Sequence, residues 1–159
     1  MKRISSAIIV LTVLVALSNT ASAETPSHKD ARTFVAQAQI GSNLSTLALS
    51  AAKRTNTYAM IATKLGSADA SSAVSSEINA LLPQYQPKWD ENLAAAYAKS
   101  FSQEELSSLV SEGRASKYAG KVKEQQSEID RDMQASSQPI LIALVTEALK
   151  ATLSKHIPK

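Results

Sequence analysis

Apolar residues recur at three- and four-residue intervals along most of this chain, which is the spacing of a helix that buries one face. The clearest case is one apolar stripe formed by Trp89, Leu93, Ala96 and Tyr97. Glycine occurs only four times in 159 residues, and no run of alternating β-branched residues is present. This pattern predicts an all-α fold whose helices bury one another.

The segment after that stripe carries a helix-start signal. Ser102 can accept a hydrogen bond from the amide three residues later, and Glu105 can reach back to the Ser102 amide. Phe101 can also pack on Leu106, the pairing called a hydrophobic staple. A short helix is therefore predicted from Ser102 to Gly113, where a glycine can end it.

Other boundary residues divide the rest of the chain. We expect a first helix capped by Ser27 that ends at Gly41, and a second over about residues 43–65. A loop over about residues 66–72 and a helix that stops before Pro83 should follow, and Pro87 should stand in the first turn of the next helix.

The region from Ser116 predicts one long helix, or two that meet at a kink or break near Pro139. Residues 140–153 form the most apolar part of the chain after residue 23, and we expect them to be buried in the core. A membrane or partner protein is the alternative for this apolar face. The whole pattern predicts a small helical bundle of five or six helices.

The amino terminus has the three parts of a secretory signal peptide. Lys2 and Arg3 precede an apolar run of eleven residues, 7–17, and Ala21-Ser22-Ala23 matches a cleavage site. Cleavage is expected after Ala23, so that residues 1–23 are the signal peptide and 24–159 a single helical domain in the periplasm or outside the cell. A retained membrane anchor is the alternative, but eleven apolar residues fall short of the roughly 20 that span a bilayer.

Composition narrows the classes of function. The chain has no cysteine, so disulfides cannot staple the fold and no lipid can be attached at the cleavage site. Loss of Lys2 and Arg3 with the signal would lower the formal net charge from +3 to +1. A near-neutral domain is not typical of nucleic-acid binding, and we expect no nucleic-acid partner.

The carboxy-terminal half resembles a known family over about residues 83–149. The resemblance depends on Tyr85, Trp89 and Tyr97, on residues 101–106, and on the later positions Glu112-Gly113, Ser116 to Ala119, Gln126, Met133, Ser137 and Pro139. This order resembles the family called domain of unknown function 2059, which comprises small exported helical proteins of Gram-negative bacteria with no assigned activity. Family members commonly have a Ser-Pro step where this chain has Ser116-Lys117, so it resembles a divergent member.

Single residues and short motifs give weak indications of chemistry. His28 and His156 stand near the two ends of the chain and are interpreted as solvated terminal residues, so no metal site is predicted. Ser50 and Lys53 form an SxxK motif, which in penicillin-recognising enzymes activates the serine. The SDN and KTG motifs of those enzymes are missing, so the match is attributed to chance.

Three pairs of carboxylates were considered for acid–base catalysis: Asp90 with Glu91, Glu104 with Glu105, and Asp130 with Asp132. Neighbours this close in a helix point apart, whereas glycosidases hold two carboxyls about 5 to 9.5 Å apart in a cleft. Helix capping explains Glu104 and Glu105, and a solvated face explains the other two pairs. No catalytic, cofactor-binding or metal-binding residue is therefore predicted.

One basic cluster is present, formed by Arg114, Lys117, Lys121 and Lys123. It could contact lipid headgroups or a cell-wall polymer, but Glu124, Glu128 and Arg131 follow at helical offsets and favour a salt-bridged solvent face. The sequence thus predicts an exported, non-enzymatic interaction or binding protein of the cell envelope, with an envelope protein or surface polymer as partner. An envelope hydrolase with carboxylates brought together by the fold is the alternative, and self-association through the last helix is a third.

Overall fold

Residues 25–157, which the computed structural model describes, form helices joined by short turns and contain no strand. In chain order, helices α1 to α7 span Pro26–Gln37, Leu44–Ala52, Asn56–Leu65, Ser67–Ser100, Gln103–Glu112, Ala119–Glu124 and Gln126–His156. Two 3₁₀ turns, Ile40–Asn43 and Gly113–Ala115, precede α2 and follow α5. The all-α prediction is confirmed, although this part of the chain has seven α-helices rather than five or six. The predicted signal peptide lies outside the described residues.

The two longest helices, α4 and α7, form the antiparallel centre of the bundle. Lys155 near the end of α7 bonds to Glu77 near the start of α4 at 2.8 Å. At the other end of the pair, Lys99 bonds to Asp132 at 2.8 Å. Helices α1, α2 and α3 pack against α4, and α5 packs on α1. Most of the core therefore lies along α4.

The predicted apolar stripe is buried as expected, together with the start of α5. Fully or nearly buried side chains are those of Trp89, Leu93, Tyr97, Phe101, Leu106 and Leu109. The Tyr97 ring lies 5.3 Å from Phe34 and 5.7 Å from Phe101, measured between centroids. In α7, Leu144, Val145, Ala148 and Leu149 are buried too. Core packing of the apolar carboxy-terminal segment is thus confirmed for these four residues, whereas Ile142 in the same segment is 57% exposed.

The capping box at α5 is also confirmed. The Glu105 carboxylate accepts a hydrogen bond from the Ser102 amide at 2.8 Å, and the Ser102 hydroxyl accepts one from the Glu105 amide at 3.3 Å. Gly113 ends the helix with φ of 57°, a conformation that glycine adopts without strain. The local sequence determines both ends of α5.

Predicted boundaries near the amino terminus were wrong by a few residues. Thr25, not Ser27, caps α1 by accepting a hydrogen bond from the amide of His28 at 3.3 Å. The helix ends before Gly41 because Gln39 adopts a left-handed conformation with φ of 52°. The predicted helix over residues 43–65 is two helices, because α2 ends at Ala52 and the Thr55 side chain caps α3.

Contrary to the prediction, Pro83 does not end a helix and Pro87 does not stand in the first turn of one. No loop follows Gly66, since α4 begins at Ser67 and continues through Pro83 and Pro87 to residue 100. Of the alternatives expected at Pro139, the break does not occur, since α7 continues through that residue. Each proline is exposed, so the carbonyls that lose a partner stand on the solvent side, where water can bond to them. Apolar packing on both sides of each proline holds the helix together.

The carboxy-terminal region instead divides earlier. Helix α6 begins at Ala119, and Gln125 is both its carboxy-terminal cap and the residue before α7. None of the residues of α6 is buried. A helix with no buried residue has little packing to extend it, so the chain turns there rather than at Pro139.

Candidate functional site

A groove of about 430 Å³ lies where α2, α4 and α7 meet the first 3₁₀ turn. Its apolar lining comprises Ile40, Leu47, Trp89, Leu93, Met133 and Leu141. Its polar lining comprises Asn43, Gln126, Asp130, Gln134, Ser137 and Gln138. The volume and the mixture of apolar walls with a few polar groups are those of small-molecule sites. We call this site the Trp89 groove.

The helical period explains how the Trp89 groove is built. Trp89 and Leu93 stand one turn apart on α4, and Met133, Ser137 and Leu141 stand at successive four-residue steps on α7. Each helix therefore contributes one continuous stripe to the groove. Trp89 is 7% exposed and is the single tryptophan of the chain, which makes its fluorescence a specific reporter of this site.

A second groove of about 570 Å³ adjoins the first, because Ile40 and Gln126 line both. Its other lining residues are Phe34, Gln37, Ala38, Tyr97, Leu109, Gly113, Arg114, Ala119 and Val122. Arg114 is the charged residue among them, and we call this site the Arg114 groove. Its walls come from α1, α4 and the region from the end of α5 to the start of α7, including the unburied helix α6.

Tyr97 is the tyrosine that lines the Arg114 groove. No described residue hydrogen-bonds to its hydroxyl, although the side chain is only 1% exposed. Burial, and secondly the negative charge of Asp130, raise the pKa of this tyrosine above its usual value. The hydroxyl therefore stays protonated at neutral pH and can donate a hydrogen bond.

Asp90 and Glu91, the first pair of candidate carboxylates, bind different partners. Asp90 accepts a hydrogen bond from the Gln86 side chain at 2.7 Å, whereas Glu91 bonds to Arg32 at 2.7 Å. The Arg32 guanidinium is the main cause that lowers the pKa of Glu91, although partial burial opposes it. Asp90 and Glu91 therefore have separate partners and do not act as a pair.

The other two pairs are divided in the same way. Glu105 bonds to Lys121 at 2.7 Å, and this contact, followed by the Ser102 amide, lowers the pKa of Glu105. The Tyr118 hydroxyl donates to Glu104 at 2.8 Å. Asp132 forms an ion pair with Lys99, and Asp130 accepts a hydrogen bond from the Gln126 side chain at 2.8 Å. Each of these six carboxylates thus has a partner of its own among the described residues.

The basic cluster is divided between ion pairs and one groove. Lys121 pairs with Glu105 and lies 4.9 Å from the centroid of the Phe101 ring, and Lys117 lies 3.6 Å from Glu104. The partners are therefore in α5, and the prediction of Glu124 and Glu128 as partners was wrong. Arg114 forms no ion pair with a described residue.

The remaining motif residues are not brought together. His28 is part-buried and its Nε2 lies 3.5 Å from Glu91, so its interpretation as a solvated residue was wrong, whereas His156 is exposed at the end of α7. Ser50 and Lys53 are exposed at the end of α2, away from both grooves. Within residues 25–157, no three histidine or carboxylate side chains gather as a metal site would require.

Neither groove was predicted from the sequence. The sequence pattern indicates only a core role for the Trp89 stripe. It indicates no role for Ile40, which lines both grooves. Among the described helices none is long and apolar enough to cross a bilayer. Comparisons of this chain with models of protein families, with curated proteins and with solved structures find no match.

Proposed function

We propose that this protein is a non-enzymatic binding protein that takes an apolar or amphiphilic small molecule into the Trp89 groove. The observation that carries the proposal is the lining itself, in which six apolar side chains stand against neutral amides, one hydroxyl and a single carboxylate. Such a surface favours removal of hydrocarbon from water, with about 25 cal/mol gained per Å² of apolar area buried. The neutral amides can orient a ligand by hydrogen bonds, and they do not require the ligand to be charged.

Binding fits the site better than catalysis does. A hydrolase of the kind considered above needs two carboxyls that converge on one bond. Only Asp130 brings a carboxylate to the Trp89 groove, and it is already hydrogen-bonded to Gln126. No group in the groove has the nucleophile-and-base arrangement that covalent catalysis requires.

The predicted export signal gives this proposal its setting. We infer a periplasmic or secreted protein that binds its ligand in the cell envelope, in keeping with the resemblance to the exported family named above. Apolar molecules that cross an aqueous compartment need a carrier or a sink, and a groove of this size suits one chain or one small ring system.

The test uses the neutral apolar fluorophore N-phenyl-1-naphthylamine, whose absorption overlaps tryptophan emission. The proposal expects saturable quenching of Trp89 by energy transfer to the bound probe. Leu47, which is 39% exposed on the groove wall, provides the variant Leu47→Asp. Loss of about 1 kcal/mol of apolar contact should weaken binding about fivefold.

The matched control is Met60→Asp in α3. Met60 is 63% exposed and lines neither groove, so this variant adds the same charge at an exposed apolar position elsewhere. Its affinity for the probe should equal that of the unaltered protein. Absence of saturable quenching, or equal losses in the two variants, would show that the Trp89 groove is not a binding site.

A further inference from the structure

The two grooves differ in charge, although they adjoin. Asp130 is the charged residue that lines the Trp89 groove, and Arg114 is the one that lines the Arg114 groove. Ile40 and Gln126 belong to both linings, so the two grooves lie side by side. A negatively charged group is repelled at the first site and attracted at the second.

Arg114 is available for such a group. Lys117 and Lys121 of the basic cluster are held by Glu104 and Glu105, whereas no described carboxylate pairs with Arg114. A guanidinium presents a planar fork of N–H donors that matches the two oxygens of a carboxylate. The apolar side chains of Phe34, Leu109 and Val122 line the same groove. An anionic head beside hydrocarbon walls is therefore the chemistry that this site matches.

Tyr97 supplies a second, independent observation. Its side chain is 99% buried, it lines the same groove, and its hydroxyl has no hydrogen-bond partner among the described residues. Among the described residues, the fully buried side-chain polar atoms without a partner are Trp89 Nε1 and Ser100 Oγ, so the Tyr97 hydroxyl still reaches the solvent of the groove. A ligand oxygen in the Arg114 groove can accept a hydrogen bond from this hydroxyl as well as from Arg114, so these two groups suit an acceptor.

We propose that the ligand is a long-chain monocarboxylate, with its aliphatic tail in the Trp89 groove and its carboxylate bound by Arg114 in the adjoining groove. The inference rests on the proposed function, since the tail occupies the apolar site described there. It adds the chemical class of the ligand and its orientation. No covalent step is involved.

The first experiment compares three twelve-carbon chains that differ in the head: dodecanoate, dodecan-1-ol and dodecyltrimethylammonium, each below its micelle concentration. Displacement of the naphthylamine probe from the purified protein measures affinity. Dodecanoate should bind most tightly and the cation least. Arg114→Gln should weaken dodecanoate about fivefold and leave dodecan-1-ol within twofold. Lys123→Gln is the matched control, because Lys123 is also exposed but lines neither groove.

The second experiment measures orientation with bromine, which quenches tryptophan only at close range. Dodecanoate with bromine on its terminal carbon should quench Trp89 strongly, and dodecanoate brominated beside the carboxylate should quench it weakly. Tyr97→Phe keeps the ring and its packing, and should weaken dodecanoate binding without changing dodecan-1-ol binding.

The outcomes separate the two proposals. If neither the probe nor dodecan-1-ol binds, the proposed function is wrong. If dodecan-1-ol binds but Arg114→Gln leaves the preference for dodecanoate unchanged, or if the bromine pattern is reversed, only the inference about the head group is overturned. Binding to vesicles of anionic phospholipid without binding of free dodecanoate would also overturn it, because the basic cluster would then act as a membrane contact.

Discussion

Glu105 gives the sharpest test of how α5 is held in the bundle. Its carboxylate accepts the Ser102 amide at 2.8 Å and also contacts the Lys121 ammonium through both oxygens, at 2.8 and 2.7 Å. The side chains of Glu105 and Lys121 are 16% and 31% exposed, so solvent screens this pair less than a fully exposed one. Helix capping and an ion pair between α5 and α6 thus depend on one side chain.

The expected losses follow from these two contacts. Glu105→Ala removes half of the capping box, worth about 1 kcal/mol, and a part-buried ion pair of about 1 kcal/mol, for a total of about 2 kcal/mol. Glu105→Gln keeps an oxygen for the Ser102 amide but loses the charge, and should cost about 1 kcal/mol. Ser102→Ala should likewise cost about 1 kcal/mol, because one capping hydrogen bond is lost.

Urea unfolding followed by far-UV circular dichroism measures these differences. With a slope of 1 to 3 kcal/mol per molar urea, Glu105→Ala should lower the midpoint by about 1 M. Because Lys121 and the Ser102 amide lower the pKa of Glu105, its stabilisation is present above the pKa of an unfolded glutamate. That stabilisation should disappear as the pH falls through the lower, folded-state pKa, and Glu105→Gln should remove this part of the pH dependence.

Glu104→Ala is the matched control, since the Glu104 side chain is 76% exposed and takes no part in the capping box. It should change the free energy of unfolding by less than about 0.5 kcal/mol. If Glu105→Ala costs no more than this control, the capping box and the Lys121 pair do not stabilise the protein in solution, and the reasoning is refuted.

Three further changes test other parts of the fold. A Cβ on buried Gly41 would meet an Asp90 carboxylate oxygen, which can move away only by giving up its hydrogen bond to Gln86, so Gly41→Ala should cost about 1 kcal/mol in urea unfolding, and an unchanged midpoint would contradict the close approach. Pro139→Ala should stabilise by about 1 kcal/mol or more, because alanine restores a helical hydrogen bond at an exposed site; a loss of stability would refute this. The raised pKa of Tyr97 stabilises the fold below the pKa of an unfolded tyrosine, about 10, and this contribution is lost as the pH rises through the folded-state pKa. Tyr97→Phe should remove that alkaline loss, which unfolding measured at rising pH can detect.

The parts of the fold that sequence reasoning predicted are those in which the cause is local. The capping box of α5 needs only Ser102 and Glu105, three residues apart, and the Trp89 stripe needs only the helical period. Both are therefore visible without knowledge of any other helix. The all-α class follows in the same way, because each segment carries its own periodic apolar face.

The prolines show where local reasoning fails. A proline inside a helix removes one hydrogen bond and costs about 3 kcal/mol, which favours a boundary when the segment is considered alone. In the fold, buried residues stand on both sides of the exposed Pro83 and Pro87, including Val74, Ile78 and Trp89. Burial of each large side chain is worth about 1.5 to 3 kcal/mol, so contacts that the sequence does not display outweigh the lost hydrogen bonds.

The grooves depend entirely on distant residues, and the basic cluster shows why this matters for function. Helical offsets identify partners within one helix, and they suggested Glu124 and Glu128 for the lysines. The fold instead brings Lys121 to Glu105, sixteen residues earlier, because the chain turns between α5 and α6. Lys117 and Lys121 are paired across helices, and of the two remaining cations Arg114 lines an apolar groove whereas Lys123 does not. The charge available to a ligand therefore depends on how the helices pack, through the ion pairs of Lys117 and Lys121 and the place of Arg114 at the groove, and the sequence alone does not distinguish the four cations.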